Sequence, residues 1–262
     1  MNRLQALFSS KKDICSVYFT AGYPQLNDTL PVLRALENAG VDLVELGMPF
    51  SDPLADGPTI QASSEQALDN GMSLKVLFGQ IKDLRPSISM PVVLMGYFNP
   101  VYKYGVEAFI NSCKEVGVDG LIIPDLPFDE YRSKYQAMFE AAGIVNIFLI
   151  TPQTSDERIA QIDTHSKGFI YQVSSSSVTG AKADVEQTQL DYFQRVDGLQ
   201  LSTPRLIGFG ISNSATFETA CRFSSGAIIG SAFVKLLTDF GVDPERIKKF
   251  IEDIRGGAAK NV

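Results

Sequence analysis

Histidine and cysteine are scarce in this sequence. His165 is the only histidine among 262 residues, which excludes a metal site that needs two or more histidine ligands. It lies near the end of a predicted helix, where we expect a capping or surface role. Cys15, Cys113 and Cys221 are far apart, odd in number and without metal-ligand spacing, so we interpret them as reduced cysteines in the core or in helices.

A basic surface and a long apolar run are also missing. Lys and Arg together number 23 against 30 Asp and Glu, which gives a net charge of -7. This balance argues against binding to nucleic acid or to an anionic membrane surface. No apolar run approaches the roughly 20 residues of a membrane-spanning helix, and the first residues lack the long apolar segment of a signal peptide. We therefore expect a cytoplasmic protein with no nucleic-acid or membrane partner.

Short apolar runs rich in β-branched residues are present instead, and they alternate with amphipathic segments. The eight runs cover residues 14–19, 41–46, 91–95, 118–123, 144–150, 168–173, 204–209 and 226–229. Helical patterns lie between them, for example at 30–39, 106–116 and 130–142, and a glycine suited to a helix C-terminus follows each of these three.

This alternation indicates a parallel sheet covered by helices. Eight units in a chain of this length predict an α/β fold, a single (β/α)8 TIM barrel domain over residues 1–262. Further helical patterns at 2–8, 73–84 and 230–240 predict extra helices added to the barrel.

Two acids belong to one predicted strand-loop unit. Glu45 shares a strand face with Leu43, and Asp56 follows in a loop that three prolines stiffen within ten residues. A carboxyl group at the edge of a core has its pKa raised toward neutrality, where it can exchange protons. Glu45 is also open to a plainer interpretation as an ion-pair partner or loop cap.

Other candidate residues lie at or just after the carboxyl ends of the predicted strands, where chemistry occurs in this fold. They are Tyr97, Asp125, Tyr171, Gly210 and Gly230. A tyrosine in an apolar strand can equally be a core residue, and an aspartate between two prolines can simply form a turn.

Glycine-rich turns follow the last two predicted strands. Gly210 and the pair Gly230–Ser231 precede helical segments, so their backbone N–H groups can face a phosphate without help from Lys or Arg. Thr179 and Gly180 can supply another donor. The alternative is that these glycines only make tight turns.

The motif E-L-G-x-P-F-S-D-P-L-A-D-G-P-T-I-Q at 45–61 closely resembles the signature of the tryptophan synthase alpha subunit family. The resemblance continues in family order through nearly the whole chain. It includes the segments 18–24, 94–100, 117–127, 174–180, 208–211 and 230–232. The motif at 45–61 is highly specific, whereas many phosphate-binding barrels share the glycine-rich turns.

The resemblance implies retro-aldol cleavage of indole-3-glycerol phosphate to indole and glyceraldehyde 3-phosphate. Glu45 is then the group that shuttles protons, and Asp56 hydrogen-bonds the ring N–H. Tyr171 is a possible hydroxyl partner for Glu45 or for the substrate. Asp125 is expected to orient the loop that bears Asp56.

An apolar pocket with few polar groups suits the flat indole ring. Its expected walls are Ile60, Tyr97, Phe209 and Ile229. Four serines at 174–177 depart from the family pattern, in which an Arg and a Gly commonly occur here. We interpret this segment as a lid that closes over ligand, and a solvated connector is the alternative.

The resemblance further implies a beta subunit partner in an alpha2beta2 complex. That partner carries pyridoxal phosphate, and this chain needs no cofactor or metal of its own. Two other functions stay open at this point. One is another phosphate-binding barrel isomerase, and the other is a catalytically silent subunit that activates a beta partner.

Overall fold

Eight parallel strands form a closed barrel in the computed structural model, which describes residues 2–174, 182–208 and 210–257. The strands are β1 Ile14–Thr20, β2 Leu43–Gly47, β3 Val92–Met95, β4 Gly120–Ile122, β5 Val145–Ile150, β6 Ile170–Val173, β7 Arg205–Gly208 and β8 Gly226–Ile229. Each strand pairs with the next in the chain, and β8 pairs with β1. The eight predicted strands and the TIM barrel are confirmed.

Helices connect the strands and cover the outside of the barrel. They are α1 Arg3–Ser10, α2 Thr29–Asn38, α3 Pro58–Asp69, α4 Leu74–Gln80, α5 Leu84–Ser87, α6 Phe98–Tyr104, α7 Val106–Val116, α8 Phe128–Glu130, α9 Gln136–Ala142, α10 Asp156–His165, α11 Lys182–Gly198, α12 Ser214–Phe223, α13 Ser231–Phe240 and α14 Pro244–Ile254. A π-helical turn at Tyr131–Tyr135 joins α8 to α9. The predicted extra helices correspond to α1, α4 and α13, although the pattern at 73–84 breaks at Ile81 before α5 begins.

Glycines end three of these helices where the sequence predicts them. Gly40, Gly117 and Gly143 follow α2, α7 and α9 and have φ angles of 78°, 81° and 73°. Glycine takes this left-handed conformation without the penalty that a Cβ brings. Each helix therefore stops just before the strand that follows it.

The apolar core has two layers, one inside the barrel and one between the strands and the helices. Leu4 of α1 reaches the inner layer, and Phe8 packs on Phe169 with 5.4 Å between ring centroids. Because α1 covers the end where the strands begin, the strands' carboxyl ends form the accessible mouth of the barrel.

Two buried acids lie at the end of the barrel where the strands begin, which α1 covers, and basic side chains pair with them. Asp42, just before β2, binds Lys11 and lies 2.7 Å from Arg255. Asp119, just before β4, lies 2.5 Å from Arg85 and 3.2 Å from Arg3. These pairs fix the starts of two strands, since a buried carboxylate needs such partners.

The three cysteines and the single histidine lie in the core or in helices. Cys15 and Cys113 are buried, Cys221 is half-buried, and all three are free thiols. His165 ends α10 with its Nδ1 2.9 Å from the carbonyl oxygen of Gln161. Within the described ranges, no helix has both the length and the apolar character that crossing a membrane requires.

Candidate active site

Two adjoining cavities lie at the mouth of the barrel. The smaller has a volume of about 180 Å³ and the larger about 850 Å³. Both are lined by Tyr18, Asp56, Met95 and Gly210, so they form one continuous site. Among the described residues that line them there is no Lys or Arg.

Glu45 lies on β2 inside the barrel and has no solvent exposure (0%). Ser16 of β1 donates a hydrogen bond of 3.1 Å to its Oε1, whereas Oε2 is buried without a hydrogen-bond partner in the described part of the structure. Burial raises the pKa of Glu45 to about 8, and the Ser16 bond opposes that rise. The carboxyl group is therefore mostly protonated at neutral pH.

The partners of Glu45 distinguish it from the two acids at the covered end of the barrel. Asp42 and Asp119 each contact basic side chains, while the one hydrogen bond found for Glu45 within the described ranges comes from a neutral hydroxyl. Within those ranges Glu45 makes no ion pair, which favours the acid/base interpretation over the ion-pair one. A buried acid that lacks a cation and has a raised pKa is suited to proton transfer.

Glu45 is not among the residues that line the cavities, but it lies directly behind two that do. Tyr18 is its register partner on β1. The charge of Glu45 also helps to raise the pKa of Tyr18 and of Tyr171. Glu45 therefore neighbours side chains that line the smaller cavity.

Asp56 lies in the loop between β2 and α3 and lines both cavities. Burial raises its pKa, and a hydrogen bond of 3.2 Å from the Tyr97 hydroxyl opposes the rise. The same tyrosine oxygen accepts the backbone N–H of Ala55 at 2.9 Å, and its ring packs on Phe50. Tyr97 thus holds the loop in place and also lines the larger cavity.

Asp125 supports the segment next to Tyr97 and does not itself line a cavity. Its Oδ1 accepts the backbone N–H of Phe98 at 2.8 Å, and Asp125 itself is exposed and lines neither cavity. The expectation that Asp125 orients the loop bearing Asp56 stays a prediction. Its carboxylate fixes the start of α6 next to Tyr97, which in turn contacts Asp56.

Two tyrosines inside the barrel pack over glycines of the neighbouring strands. A Cβ atom on Gly208 would lie 2.2 Å from the hydroxyl oxygen of Tyr171, and one on Gly47 would lie 2.2 Å from that of Tyr18. Both tyrosines line the smaller cavity. Burial, with smaller contributions from Glu45 and Asp56, raises the pKa of Tyr171 well above its ordinary range.

The sequence reasoning missed Tyr18 as a site residue. A signal was present, because Ser16, Tyr18 and Thr20 alternate along an otherwise apolar strand and so share one face. That face points into the barrel, while Val17 and Phe19 pack in the outer layer.

A chain of hydroxyl groups connects β1 to the helix that follows the Asp56 loop. Ser63 donates to the carbonyl oxygen of Ile60 at 2.8 Å, and its oxygen lies 2.7 Å from the Thr20 hydroxyl. Since Ser63 uses its own hydrogen on Ile60, Thr20 is the donor to Ser63. The contacts hold Ile60, which lines the smaller cavity as its predicted role requires.

Small residues from two turns form the opposite side of the smaller cavity. Gly210, with φ of 76°, begins the turn after β7, and Gly230 precedes α13. The N–H groups of Phe233 and Val234 donate to Gly230, so the N–H groups of the earlier helical residues have no partner within the helix. Ser231 is one of these and lines the cavity. The arrangement suits an anion held by main-chain donors.

One predicted wall residue is corrected. Ile229 packs in the outer layer, whereas its neighbour Ile228 belongs to the inner layer and lines the smaller cavity. Successive side chains of a strand point to opposite faces, so only one of the two can face the ligand.

Several predictions lie outside the described residues. These are the roles of Thr179, Gly180 and Phe209 and the lid formed by the serines after Ser174. The sequence reasoning also missed strand-end residues that line the larger cavity, which are Met95, Leu149, Thr151 and Val173. No group of three or more potential metal-ligating side chains occurs in the ranges that the structure covers.

The fold and the site together define a class of protein, a (β/α)8-barrel enzyme with two carboxyl groups of raised pKa and glycine-rich turns at or beside its mouth. Comparison with known proteins identifies the family. The family described as tryptophan synthase alpha chain matches residues 4–258, and the chain belongs to this family. It is accordingly a carbon-carbon lyase that carries out the alpha reaction of tryptophan synthase.

Individual relatives agree over nearly full length. The tryptophan synthase alpha chain of Flavobacterium johnsoniae is 55% identical over 97% of this chain and 100% of its own length. That of Parabacteroides distasonis is 53% identical with the same coverage. Among solved structures, tryptophan synthase from M. tuberculosis in its aminoacrylate-bound form has a TM-score of 0.85 at 30% identity, covering 98% of this chain and 99% of that one. The tryptophan synthase complex from Pyrococcus furiosus has a TM-score of 0.83 at 36% identity, with 94% and 99% covered.

Proposed function

We propose that this chain cleaves indole-3-glycerol phosphate by a retro-aldol reaction in which Glu45 and Asp56 are the acid/base residues. The observation that carries this assignment is the fully buried Glu45 carboxyl group. It has a pKa of about 8 and a neutral hydroxyl as its hydrogen-bonding neighbour, and one of its oxygens has no partner among the described residues. Such a group can both give and take a proton near neutral pH.

The proton transfers balance around Glu45. The protonated carboxyl gives its proton to the indole carbon that bears the glycerol chain, which leaves a positive charge on the ring nitrogen. The carboxylate then takes the proton of the adjacent side-chain hydroxyl. The carbon-carbon bond breaks as the aldehyde carbonyl forms, and the bonding electrons return to the ring. Glu45 ends protonated, as it began.

Asp56 supports the charged intermediate from the other end of the ring. Its carboxylate accepts a hydrogen bond from the ring N–H and stabilises the positive charge there. The hydrogen bond of 3.2 Å from Tyr97 favours the ionised form of Asp56 and holds the group in place. Tyr171 contributes its hydroxyl to Glu45 or to the substrate at the floor of the smaller cavity.

The phosphate of the substrate binds at the turns after β7 and β8. Gly210, Gly230 and Ser231 offer main-chain N–H groups and one hydroxyl, which supply donors without adding a basic side chain near the two acids. A Lys or Arg at this position would lower the pKa of Glu45, so that less of it would be protonated and able to donate at neutral pH.

The remaining assignments concern the cofactor, the partner subunit and the location in the cell. This chain uses no cofactor of its own, and indole passes to a beta subunit that carries pyridoxal phosphate in an alpha2beta2 complex. The rim loop around Asp52 and Pro53 is exposed beside Asp56, so partner docking there can position this acid. We place the complex in the cytoplasm.

Two other functions were open from the sequence. A sugar-phosphate isomerase shares the glycine-rich turns but has no use for the motif at 45–61. A silent activating subunit has no use for a buried carboxyl group without a cation, which lowers stability at neutral pH. The site therefore favours the lyase over both.

An assay of indole release from indole-3-glycerol phosphate tests the proposal, with and without a beta subunit. Glu45→Gln and Asp56→Asn are each expected to reduce kcat by about 10²- to 10⁴-fold, the usual contribution of a general acid or base. Glu115→Gln, on the exposed face of α7, serves as the matched control. Turnover close to wild type in either site variant would show that the residue does not have the role assigned to it.

A further inference from the structure

Ser16 is a buried hydroxyl-bearing residue next to the proposed catalytic acid, and neither the motifs nor the comparisons assign it a role. Its side chain is completely buried on the inner face of β1, and its hydroxyl donates to Oε1 of Glu45 at 3.1 Å. A serine in this apolar interior needs a partner, and Glu45 supplies it.

The register of the first two strands fixes the direction of this contact. Ser16 pairs with Leu43, whereas Glu45 pairs with Tyr18, which is two residues nearer the mouth. Ser16 therefore approaches the carboxyl group from the covered end of the barrel. The oxygen that it holds is the one on that side, and Oε2 is left without a partner in the described structure.

We infer that Ser16 is a positioning residue, whose hydroxyl holds Oε1 of Glu45 as an acceptor so that Oε2 carries the exchangeable proton. This inference rests on the proposed function of Glu45. In the neutral carboxyl group the accepting oxygen is the carbonyl oxygen, and the proton resides on the other. The Ser16 bond thus selects which oxygen is the acid, and it fixes the rotation of the group.

The same bond favours the ionised carboxyl over the neutral one, because hydrogen bonds to charged acceptors are the stronger kind. Among the described residues, the titratable groups that interact with Glu45 are the phenols of Tyr18 and Tyr171. Neither of them is a cation. Ser16 is therefore the neighbour that opposes the effect of burial on Glu45.

The experiment compares Ser16→Ala and Ser16→Thr with the wild-type chain. The pH dependence of kcat for indole release is measured, and the Glu45 carboxyl carbon is titrated by ¹³C NMR in protein labelled at glutamate. The spectrum of Glu45→Gln identifies the signal. Ser224→Ala is the control, because it removes a half-buried hydroxyl near the start of β8, at the covered end of the barrel.

We expect Ser16→Ala to raise the pKa of Glu45 by about one pH unit, the size expected for a lost hydrogen bond to a charged group. The basic limb of the kcat profile, where Glu45 loses its proton, moves up with it. At the optimum kcat falls about tenfold with KM little changed, since the proton is no longer confined to Oε2. Ser16→Thr restores both values, and Ser224→Ala alters neither.

Two results would overturn the inference. One is a Glu45 signal in Ser16→Ala that titrates at the wild-type pH, and the other is a basic limb that does not move. If Glu45→Gln is inactive in the same assays, only the role of Ser16 has failed. If Glu45→Gln is active, the proposed function has failed instead. The NMR titration reports on Ser16 even in a variant with low turnover.

Discussion

Replacing Glu45 by glutamine is expected to stabilise the protein above neutral pH, although it removes the proposed catalytic acid. Glutamine has the shape of the protonated carboxyl group and keeps an oxygen for the hydrogen bond from Ser16. It cannot ionise. The variant therefore avoids the penalty that the wild-type chain bears when this buried carboxyl group loses its proton.

The sign and size follow from the raised pKa. The folded state binds this proton more tightly than the unfolded state, so wild-type stability falls as pH rises from 4.5, the ordinary value, to about 8. By linkage, Glu45 lowers the free energy of unfolding by about 1 kcal/mol at pH 5, about 3 kcal/mol at pH 7 and roughly 5 kcal/mol above pH 8. Other groups titrate alike in both proteins, so their contributions cancel in the difference.

Urea unfolding at a series of pH values between 5 and 9 measures this difference. Glu45→Gln should match wild type within about 1 kcal/mol at pH 5 and exceed it progressively as pH rises. Glu115→Gln, at an exposed position, should give a small difference that does not depend on pH. A pH-independent difference for Glu45→Gln would refute the claim that burial keeps this carboxyl group protonated.

Three further predictions concern other residues in or near the site. Gly47→Ala places a Cβ 2.2 Å from the hydroxyl oxygen and 2.6 Å from Cζ of Tyr18, so urea unfolding should show a loss of about 1–3 kcal/mol. Adding Tyr18→Phe should restore only part of it, and full restoration would contradict the predicted ring contact. Ser231→Asp should raise the Kd for glycerol 3-phosphate at least about tenfold in calorimetry, and an unchanged Kd would place the anion elsewhere. Tyr97→Phe removes the hydrogen bond that lowers the pKa of Asp56, so the acid limb of the kcat profile should move to higher pH. An acid limb that stays in place would contradict that role.

Local patterns were enough to predict the barrel. Each strand is a short apolar run, and helix ends such as those at Gly117 and Gly143 depend on the conformational freedom of a single residue. The candidates Asp56, Gly210 and Ser231 were found for a similar reason, because the fold places every strand's carboxyl end at one mouth.

Contacts between distant segments were not predictable in this way. The hydrogen bond from Ser16 to Glu45 depends on the register of β1 against β2, which no local pattern specifies. The choice of Ile228 over Ile229 depends on which face of β8 points inward. Asp125 was correctly placed near the mouth, but its partner is the backbone of Phe98, which is 27 residues away in the chain.

The central claim is that two acids act on the heterocycle while main-chain donors hold the phosphate. A crystal structure of this chain with bound indole-3-glycerol phosphate in the Asp56→Asn variant tests it most directly. We predict the ring N–H next to residue 56, Glu45 within hydrogen-bonding reach of the side-chain hydroxyl, and phosphate oxygens on the N–H groups at Gly210 and Ser231. A phosphate bound at another place, or a ring that contacts neither acidic position, would contradict the account.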